Sequence, residues 1–208
     1  MKVGFIGAGL IGSAVASALA QAGHEVIMSN SRGPQTLDDV VAQIGSGARA
    51  ATAAEAAAES DVVMVAIPLF AREAVKSLPL DGKIVVDLMN YYPSRDGQIP
   101  ELDSGATTTS EITASLLPGA KVVKAFNAIR SGDIAGKGRP VGDPERGVLL
   151  YAGDDAEAKR VVAGLISDTG FDPYDVGSLH EGFRFQNGAP AYGMRGKASD
   201  LEPLLAAA

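Results

Sequence analysis

The sequence predicts an α/β fold, a doubly wound, mostly parallel sheet with a small C-terminal α/β extension, and three observations predict it. Short apolar runs rich in Val and Ile alternate with helical stripes along most of the chain. The runs are apolar on consecutive residues, as strands covered on both faces are. A glycine-rich turn joins the first run to the first stripe.

Each element can be justified in order. Lys2–Ile6 (KVGFI) is a buried strand that stops at Gly7. Ile11, Ala14, Val15, Ala18, Leu19 and Ala22 form the stripe of a helix packed on a sheet, and Gly23 ends it. Glu25–Ser29 is the second strand, Leu37–Ile44 a short helix, Ala48–Ala51 a weak third strand and Ala53–Glu59 an alanine-rich helix. Asp61–Ile67 (DVVMVAI) is a fourth strand stopped by Pro68, followed by a helix over Phe70–Ser77 and a strand over Lys83–Met89. A looser stretch, Asn90–Ala106, leads to a helix over Thr107–Leu117 and a strand over Lys121–Phe126. Residues 128–147 hold five glycines and no periodicity, which predicts a long loop. Gly147–Ala152 is a strand. Asp154, with Glu157 three residues on, opens a helix striped by Ala158, Val161, Val162, Leu165 and Ile166. Phe171–Val176 is the last strand, and the tail from Ser178 mixes loop with short helix.

Composition bounds the function. The chain has 208 residues, more than the roughly 150 of an average domain. The boundary is expected after Asn127, giving a nucleotide-binding domain over 1–127 and a small domain over 128–208. The net charge is −7 and neither part is basic, which argues against nucleic acid as a partner. With no Cys there is no disulfide, thiolate metal site or Cys nucleophile, and two His cannot build a His-rich metal centre. The longest apolar run, Val62–Ile67, is far short of the roughly 20 residues of a membrane span. The N-terminus enters a strand directly with no signal-peptide pattern, so the expected location is the cytoplasm with no membrane partner.

Gly7-Ala8-Gly9-Leu10-Ile11-Gly12 matches G-x-G-x-x-G between a strand and a striped helix, the context in which that spacing holds a dinucleotide pyrophosphate. Gly7 permits the tight turn, Gly9 lets backbone approach the ligand, and Gly12 lets helix and strand pack closely. The helix N-terminus adds free N–H groups and the positive end of its dipole. NAD sites carry an acid at the end of the second strand for the ribose 2′-hydroxyl. Here Asn30 holds that position, Ser31 and Arg32 follow, and no carboxylate comes before Asp38. A hydroxyl and a guanidinium suit a 2′-phosphate, so the expected cofactor is NADP(H).

No proton donor is evident for carbonyl reduction. His24 sits in a turn away from the predicted nicotinamide end, His180 lies in the tail, and Lys121 and Lys124 bracket a strand that leaves their direction open. Transfer of hydride between two bound cofactors needs no such donor and depends on positioning.

The start KVGFIGAGLIGSAVA, the SNSRGP stretch, DVVMVAIP and KVVKAFNAI at 121–129 resemble the F420-dependent NADP oxidoreductases, relatives of the STEAP-type reductase domains. The likeness covers most of 1–177 and implies a Rossmann-type fold with hydride transfer between NADP(H) and coenzyme F420. It implies that Gly7–Gly12 hold the pyrophosphate and that Ser31 and Arg32 hold the 2′-phosphate. Ile67 and Pro68 would lie along ribose and nicotinamide. Met89, Asn90, Phe126, Asn127 and Ala128 would frame the transfer site, with Asn127 positioning the reactants.

An acceptor with an anionic tail wants cations. Residues 128–147 supply Arg130, Lys137, Arg139 and Arg146, and the tail supplies Arg184, Arg195 and Lys197 among Phe183, Phe185 and Tyr192. These form either a stacking wall with a cationic rim or an interface and sheet cover. A homodimer is expected, because so small a C-terminal part has little of its own to cover its apolar face. The expected function is that of an NADPH:F420 oxidoreductase; the alternatives are an NADPH-dependent reductase of a flavin, ferric chelate or small organic acceptor, and a non-enzymatic NADP(H)-binding protein.

Overall fold

Eight strands form one sheet in a computed structural model that describes residues 1–45 and 47–208. They are β1 (Lys2–Ile6), β2 (Glu25–Ser29), β3 (Ala48–Ala50), β4 (Val62–Val65), β5 (Ile84–Asp87), β6 (Lys121–Ala125), β7 (Val148–Gly153) and β8 (Asp172–Gly177). Their order is β3-β2-β1-β4-β5-β6-β7-β8, and β1 to β6 are all parallel. The helices are α1 (Leu10–Gln21), α2 (Asp38–Ile44), α3 (Ala53–Glu59), the single turns α4 (Pro93–Asp96) and α5 (Pro100–Asp103), then α6 (Thr109–Leu116), α7 (Ser131–Lys137), α8 (Ala156–Asp168) and α9 (Ala198–Ala206). This is the Rossmann-type α/β fold that the alternation predicts.

Period-two alternation inside each strand divides the core into two layers. Val3, Phe5, Val62, Met64, Val86 and Val123 face a layer holding Val15 and Leu19 of α1, Ile134 of α7, and Val162 and Leu165 of α8. Ile6, Val63, Val65, Val85 and Val122 face the other layer, with Ala56 and Ala57 of α3 and Leu69 and Val75 of the 3₁₀ segment Leu69–Ser77. At Gly4 an added Cβ would stand 2.3 Å from the Ala56 carbonyl oxygen, so α3 lies directly on β1. That close approach explains why the helix is built of alanine.

Asn127, at the expected boundary, comes just after β6, and both later strands extend the same sheet. β7 pairs antiparallel with β6, Lys124 opposite Ala152, and β8 pairs parallel with β7. An antiparallel neighbour needs no crossover to the far end of the sheet. The segment 128–147 holds α7 where the sequence predicts a loop. Its Ile134 packs into the core beside α1, but one buried residue in a helix containing Gly132 and Gly136 leaves no stripe to read. The helix expected over Phe70–Ser77 is 3₁₀ throughout. The N-cap of α8 is Asp155, whose carboxylate accepts the Ala158 N–H at 2.8 Å. Asp154 instead accepts the Leu179 N–H at 2.8 Å and so ties down the tail.

Beyond β8 the 3₁₀ segment Leu179–Phe185 and α9 fold over the free face of β7. Phe185, Ala191, Leu201 and Leu205 meet Leu150 and Ala152 there. The apolar face expected to need a second chain is thus covered by the chain's own tail. Among the described residues, no helix is long and apolar enough to cross a membrane.

Candidate functional site

Between β1 and β4 the strand order reverses, and at such a point the crevice outside the strand ends is the place where doubly wound sheets bind ligands. Two open chambers of about 480 and 490 Å³ lie there and share Gly9, Ala66, Ile67 and Pro68 along their common wall. They form one groove with two ends.

The turn from β1 into α1 floors the groove. Gly7 has φ +110°, and a Cβ on it would stand 2.4 Å from the Ala66 carbonyl oxygen. A Cβ on Gly12 would stand 2.6 Å from the Gly7 carbonyl oxygen. These two glycines are required by packing. Gly9 differs, because a Cβ there would meet nothing within 4 Å. Gly9 is also the N-cap of α1; no side chain caps the helix and no acid stands in its first turn. Its first N–H groups are left for a ligand, and the cradle fits a pyrophosphate.

One end of the groove is lined by Ser29, Asn30, Ser31 and Arg32 from the end of β2 and by Ala53, Phe70, Ala71, Ala74 and Leu78 opposite. Ser29 is buried and its hydroxyl donates to the Phe5 carbonyl at 2.6 Å. Asn30 shapes the loop: its Oδ1 accepts the Arg32 N–H at 2.9 Å and its Nδ2 donates to Thr36 Oγ1 at 2.9 Å. Arg32 has no ion-pair partner among the described residues. An exposed loop with a free guanidinium and no carboxylate fits a 2′-phosphate. The apolar wall around Phe70 suits a purine ring, and no local motif in the sequence marks it.

The other end is lined by Gly9 to Gly12, Leu88, Met89, Asn90, Tyr92, Arg95, Asn127, Ile129, Arg130, Ser131 and Tyr192. Asn90 and Asn127 lock the ends of β5 and β6 together. Asn90 Nδ2 donates to the Asn127 carbonyl at 2.8 Å, and Asn127 Nδ2 donates to Asn90 Oδ1 at 3.3 Å and to the Phe185 carbonyl at 3.0 Å. Asn127 is 4% exposed, and its Oδ1 has no partner among the described residues. Phe126 and Ala128 stand behind this wall. Phe126 sits in the left-handed region at φ +58° with its ring in the core, and this bend turns the chain into the groove. Ala128 packs under the tail and accepts the Gly193 N–H at 3.2 Å.

Tyr92, Arg95 and Tyr192 complete the chamber. The Tyr92 and Tyr192 hydroxyls are 2.6 Å apart, and the Arg95 guanidinium stacks 4.8 Å from the centroid of the Tyr92 ring. Asp96 holds Arg95 through bonds of 2.9 Å to both carboxylate oxygens. Burial pushes the Asp96 carboxyl up, but Arg95 and the N–H groups of Tyr92 and Phe70 outweigh it, so the group lies below its ordinary range. Burial above all pushes the Tyr192 phenol above its ordinary value. Tyr92 and Arg95 follow β5 in the stretch the sequence leaves as loose. Their place just past a strand end on the ligand side of the sheet was the available signal.

Lys124 turns inward. It is wholly buried behind Met89 and donates to the Met89 carbonyl at 3.2 Å, Thr109 Oγ1 at 2.9 Å and Ser110 Oγ at 3.2 Å. Ser110 in turn donates to buried Asp87 at 2.6 Å. Burial lowers the Lys124 ammonium and the Asp87 charge opposes that. His24 pairs with Asp168 at 2.9 Å and His180 with Glu111 at 3.0 Å, both outside the groove.

The cations of the C-terminal part divide. Arg130 reaches the groove, whereas Lys137, Arg139, Arg195 and Lys197 surround a separate cavity of about 380 Å³ that touches the groove at Ile129. Arg146 is 2% exposed and holds structure: it binds Asp172 at 2.6 Å and the Phe171 carbonyl at 2.7 Å. Arg184 pairs with Glu181 at 2.6 Å beside Phe183, and Phe185 is core.

Residues 2–91 match the family described as NADP oxidoreductase, coenzyme F420-dependent. A hypothetical protein of Sinorhizobium meliloti is similar in structure, 35% identical with a TM-score of 0.82 and 95% of each chain covered. A proposed F420-dependent NADP reductase of Arthrobacter sp. FB24 is 30% identical with a TM-score of 0.72 and 86% of each chain covered. The metalloreductase STEAP3 of Rattus norvegicus is 34% identical over 183 residues, 86% of this chain and 34% of that protein, so this chain spans about a third of its length.

Proposed function

Because the chain belongs to the family of F420-dependent NADP oxidoreductases, we propose that it passes hydride directly between NADP(H) and coenzyme F420 within the groove. That the chain is an NADP-dependent oxidoreductase follows from the family; the identity of the acceptor is the proposal. The observation that carries it is the second chamber of about 490 Å³, which begins at the cradle residues Gly9–Gly12 and continues past the ends of β5 and β6 to Asn127, Arg130 and Tyr192.

The groove residues bind and orient the reactants. Gly7, Ala8, Gly9, Leu10, Ile11 and Gly12 hold the pyrophosphate. Ser31 and Arg32 hold the 2′-phosphate on the loop that Asn30 shapes. Ile67 and Pro68 form the wall common to both chambers, along which ribose and nicotinamide lie. Met89, Asn90 and Asn127 fix the far wall. The nucleotide, when bound, supplies the hydride. Bringing two ring systems together on a rigid wall converts a bimolecular step into an effectively unimolecular one.

The test is NADPH oxidation with F420, FMN, FAD, a ferric chelate and no acceptor. Turnover with F420 alone is the expected result. Turnover with flavin or ferric chelate and none with F420 overturns the proposal in favour of a second reading, which the likeness to a metalloreductase supports. Binding of NADPH without turnover on any acceptor would mean a nucleotide-binding protein that is not an enzyme.

A further inference from the structure

We propose that Tyr192 is the proton donor to the acceptor, resupplied through Tyr92 and steadied by Arg95. The acceptor is then a conjugated organic ring or carbonyl that gains a proton together with hydride, and not a metal chelate. The inference rests on the reading of the second chamber as the place where the acceptor is reduced.

Placement comes first. Tyr192 is carried by the tail, yet it lines the chamber opposite α1. Its position is fixed locally, since its own N–H donates to the Ala189 carbonyl at 3.0 Å and the next N–H, of Gly193, donates to the Ala128 carbonyl at 3.2 Å. The sheet end and the tail therefore hold one phenol at the nicotinamide end of the groove.

A count of protons identifies what this phenol can do. Tyr192 and Tyr92 bring two phenolic hydrogens and share a single bond of 2.6 Å. The remaining neighbour, Asn90 Nδ2 at 3.5 Å, donates, while Asn90 Oδ1 faces Asn127. No acceptor among the described residues takes the second phenolic hydrogen. Either hydroxyl can donate in that bond; with Tyr92 donating, the hydrogen left free is that of Tyr192, and a ligand in the chamber can accept it.

Charge supports the same assignment. Burial keeps the phenol protonated at neutral pH, so the acid is fully loaded. Arg95, clamped by Asp96 and donating to the Asn90 carbonyl at 2.9 Å, is a permanent cation beside the pair and stabilises the phenolate left after transfer. Lys124 donates behind the wall, and both histidines lie outside the groove.

The step balances. Hydride brings two electrons to an electrophilic carbon of the acceptor, and the nitrogen or oxygen at the end of the conjugated system takes the Tyr192 hydrogen as a proton. Tyr92 passes its proton to Tyr192 and recovers one from water. One NADPH, one oxidised acceptor and one solvent proton give NADP⁺ and the reduced acceptor. A ferric chelate takes electrons and needs no proton, so a built proton path is the mark of an organic acceptor.

The experiment compares the unaltered protein, Tyr192→Phe and Tyr92→Phe. Turnover with F420 and with FMN is measured in H₂O and D₂O. NADPH affinity is read from nucleotide fluorescence. Lumichrome, an uncharged flavin-like ring bearing carbonyl groups, is titrated into the NADP⁺-loaded protein, where no reaction occurs. Tyr192→Phe is expected to lower kcat about 100-fold and to remove the solvent isotope effect. It should also weaken lumichrome binding about fivefold while NADPH affinity stays within about twofold. Tyr92→Phe should lower kcat less and keep the isotope effect. The proposal is overturned if Tyr192→Phe keeps kcat within about threefold with its isotope effect intact. It is equally overturned if lumichrome fails to bind the unaltered protein or binds both proteins alike. Lack of turnover by the unaltered protein with both acceptors would instead overturn the functional reading, and the lumichrome titration would still decide whether Tyr192 donates to a ring carbonyl.

Discussion

At Gly9 the space that a side chain would fill is open groove, whereas at Gly7 and Gly12 it is backbone of the same protein. The G-x-G-x-x-G spacing thus combines two requirements that mutation separates. Gly9→Val should leave the unfolding free energy from urea titration within about 0.5 kcal/mol of the original, because nothing in the fold is displaced, and should weaken NADPH binding at least about tenfold. Gly7→Ala should do the reverse first, losing about 1–3 kcal/mol of stability through its positive φ and its contact with Ala66. Arg32→Ala should raise the Kd for NADPH about tenfold and leave that for NADH within about twofold; equal losses for both nucleotides would remove the 2′-phosphate assignment. All three of these residues were legible in the sequence, because each acts through its own backbone or charge at a fixed offset from a strand. Tyr92, Arg95 and Tyr192 were not read as a set, because about 100 residues separate the two hydroxyls that meet in the chamber.

Among the elements, α6 shows how a helix terminus and a site are joined. Thr108 and Glu111 form a capping box: Thr108 Oγ1 accepts the Glu111 N–H and Glu111 accepts the Thr108 N–H at 2.8 Å. The helix so started places Thr109 and Ser110 against Lys124, behind Met89. Thr108→Ala should cost about 1 kcal/mol, seen as a lower urea midpoint at unchanged slope. Burial raises the Glu111 carboxyl, but the Thr108 N–H and the His180 ring outweigh it, and the net shift is downward. A carboxyl depressed in the folded state stabilises the fold above its ordinary value of 4.5 and loses that contribution as pH falls through the folded value. The urea midpoint should therefore decline in acid, and Glu111→Gln should flatten that decline; an unchanged decline would show that Glu111 is not its source. The same scale explains the elements the sequence misread. Helix α7 depends on its contact with α1, and the Leu69–Ser77 segment is 3₁₀ where its composition permits an α-helix. In both cases the periodicity within the segment underdetermines the backbone.

Over the whole molecule, the tail is the part that connects packing to chemistry. Phe185 is fully buried against Leu150 and Ala152, and its carbonyl accepts from Asn127 in the groove wall. Phe185→Ala should cost about 3 kcal/mol. In the fraction that stays folded it should raise the KM for the acceptor more than that for NADPH, since Phe185 packs against Leu150 and Ala152 and its carbonyl holds Asn127 in the far wall; a rise confined to NADPH would break this link. The sequence by itself determined the strand–helix alternation, the G-x-G-x-x-G turn and the carboxylate-free loop of Asn30, Ser31 and Arg32 after β2, because period, glycine offset and local charge are properties of neighbouring residues. Only the tertiary structure decided that residues beyond Asn127 continue the same sheet, that the tail covers β7, that Arg146 and Lys124 are buried supports, and that Tyr192 meets Tyr92 in the chamber past the ends of β5 and β6. Those outcomes depend on contacts between distant segments, whose energies come from shared burial and from pairing of buried polar groups, and neither is visible within a window of sequence.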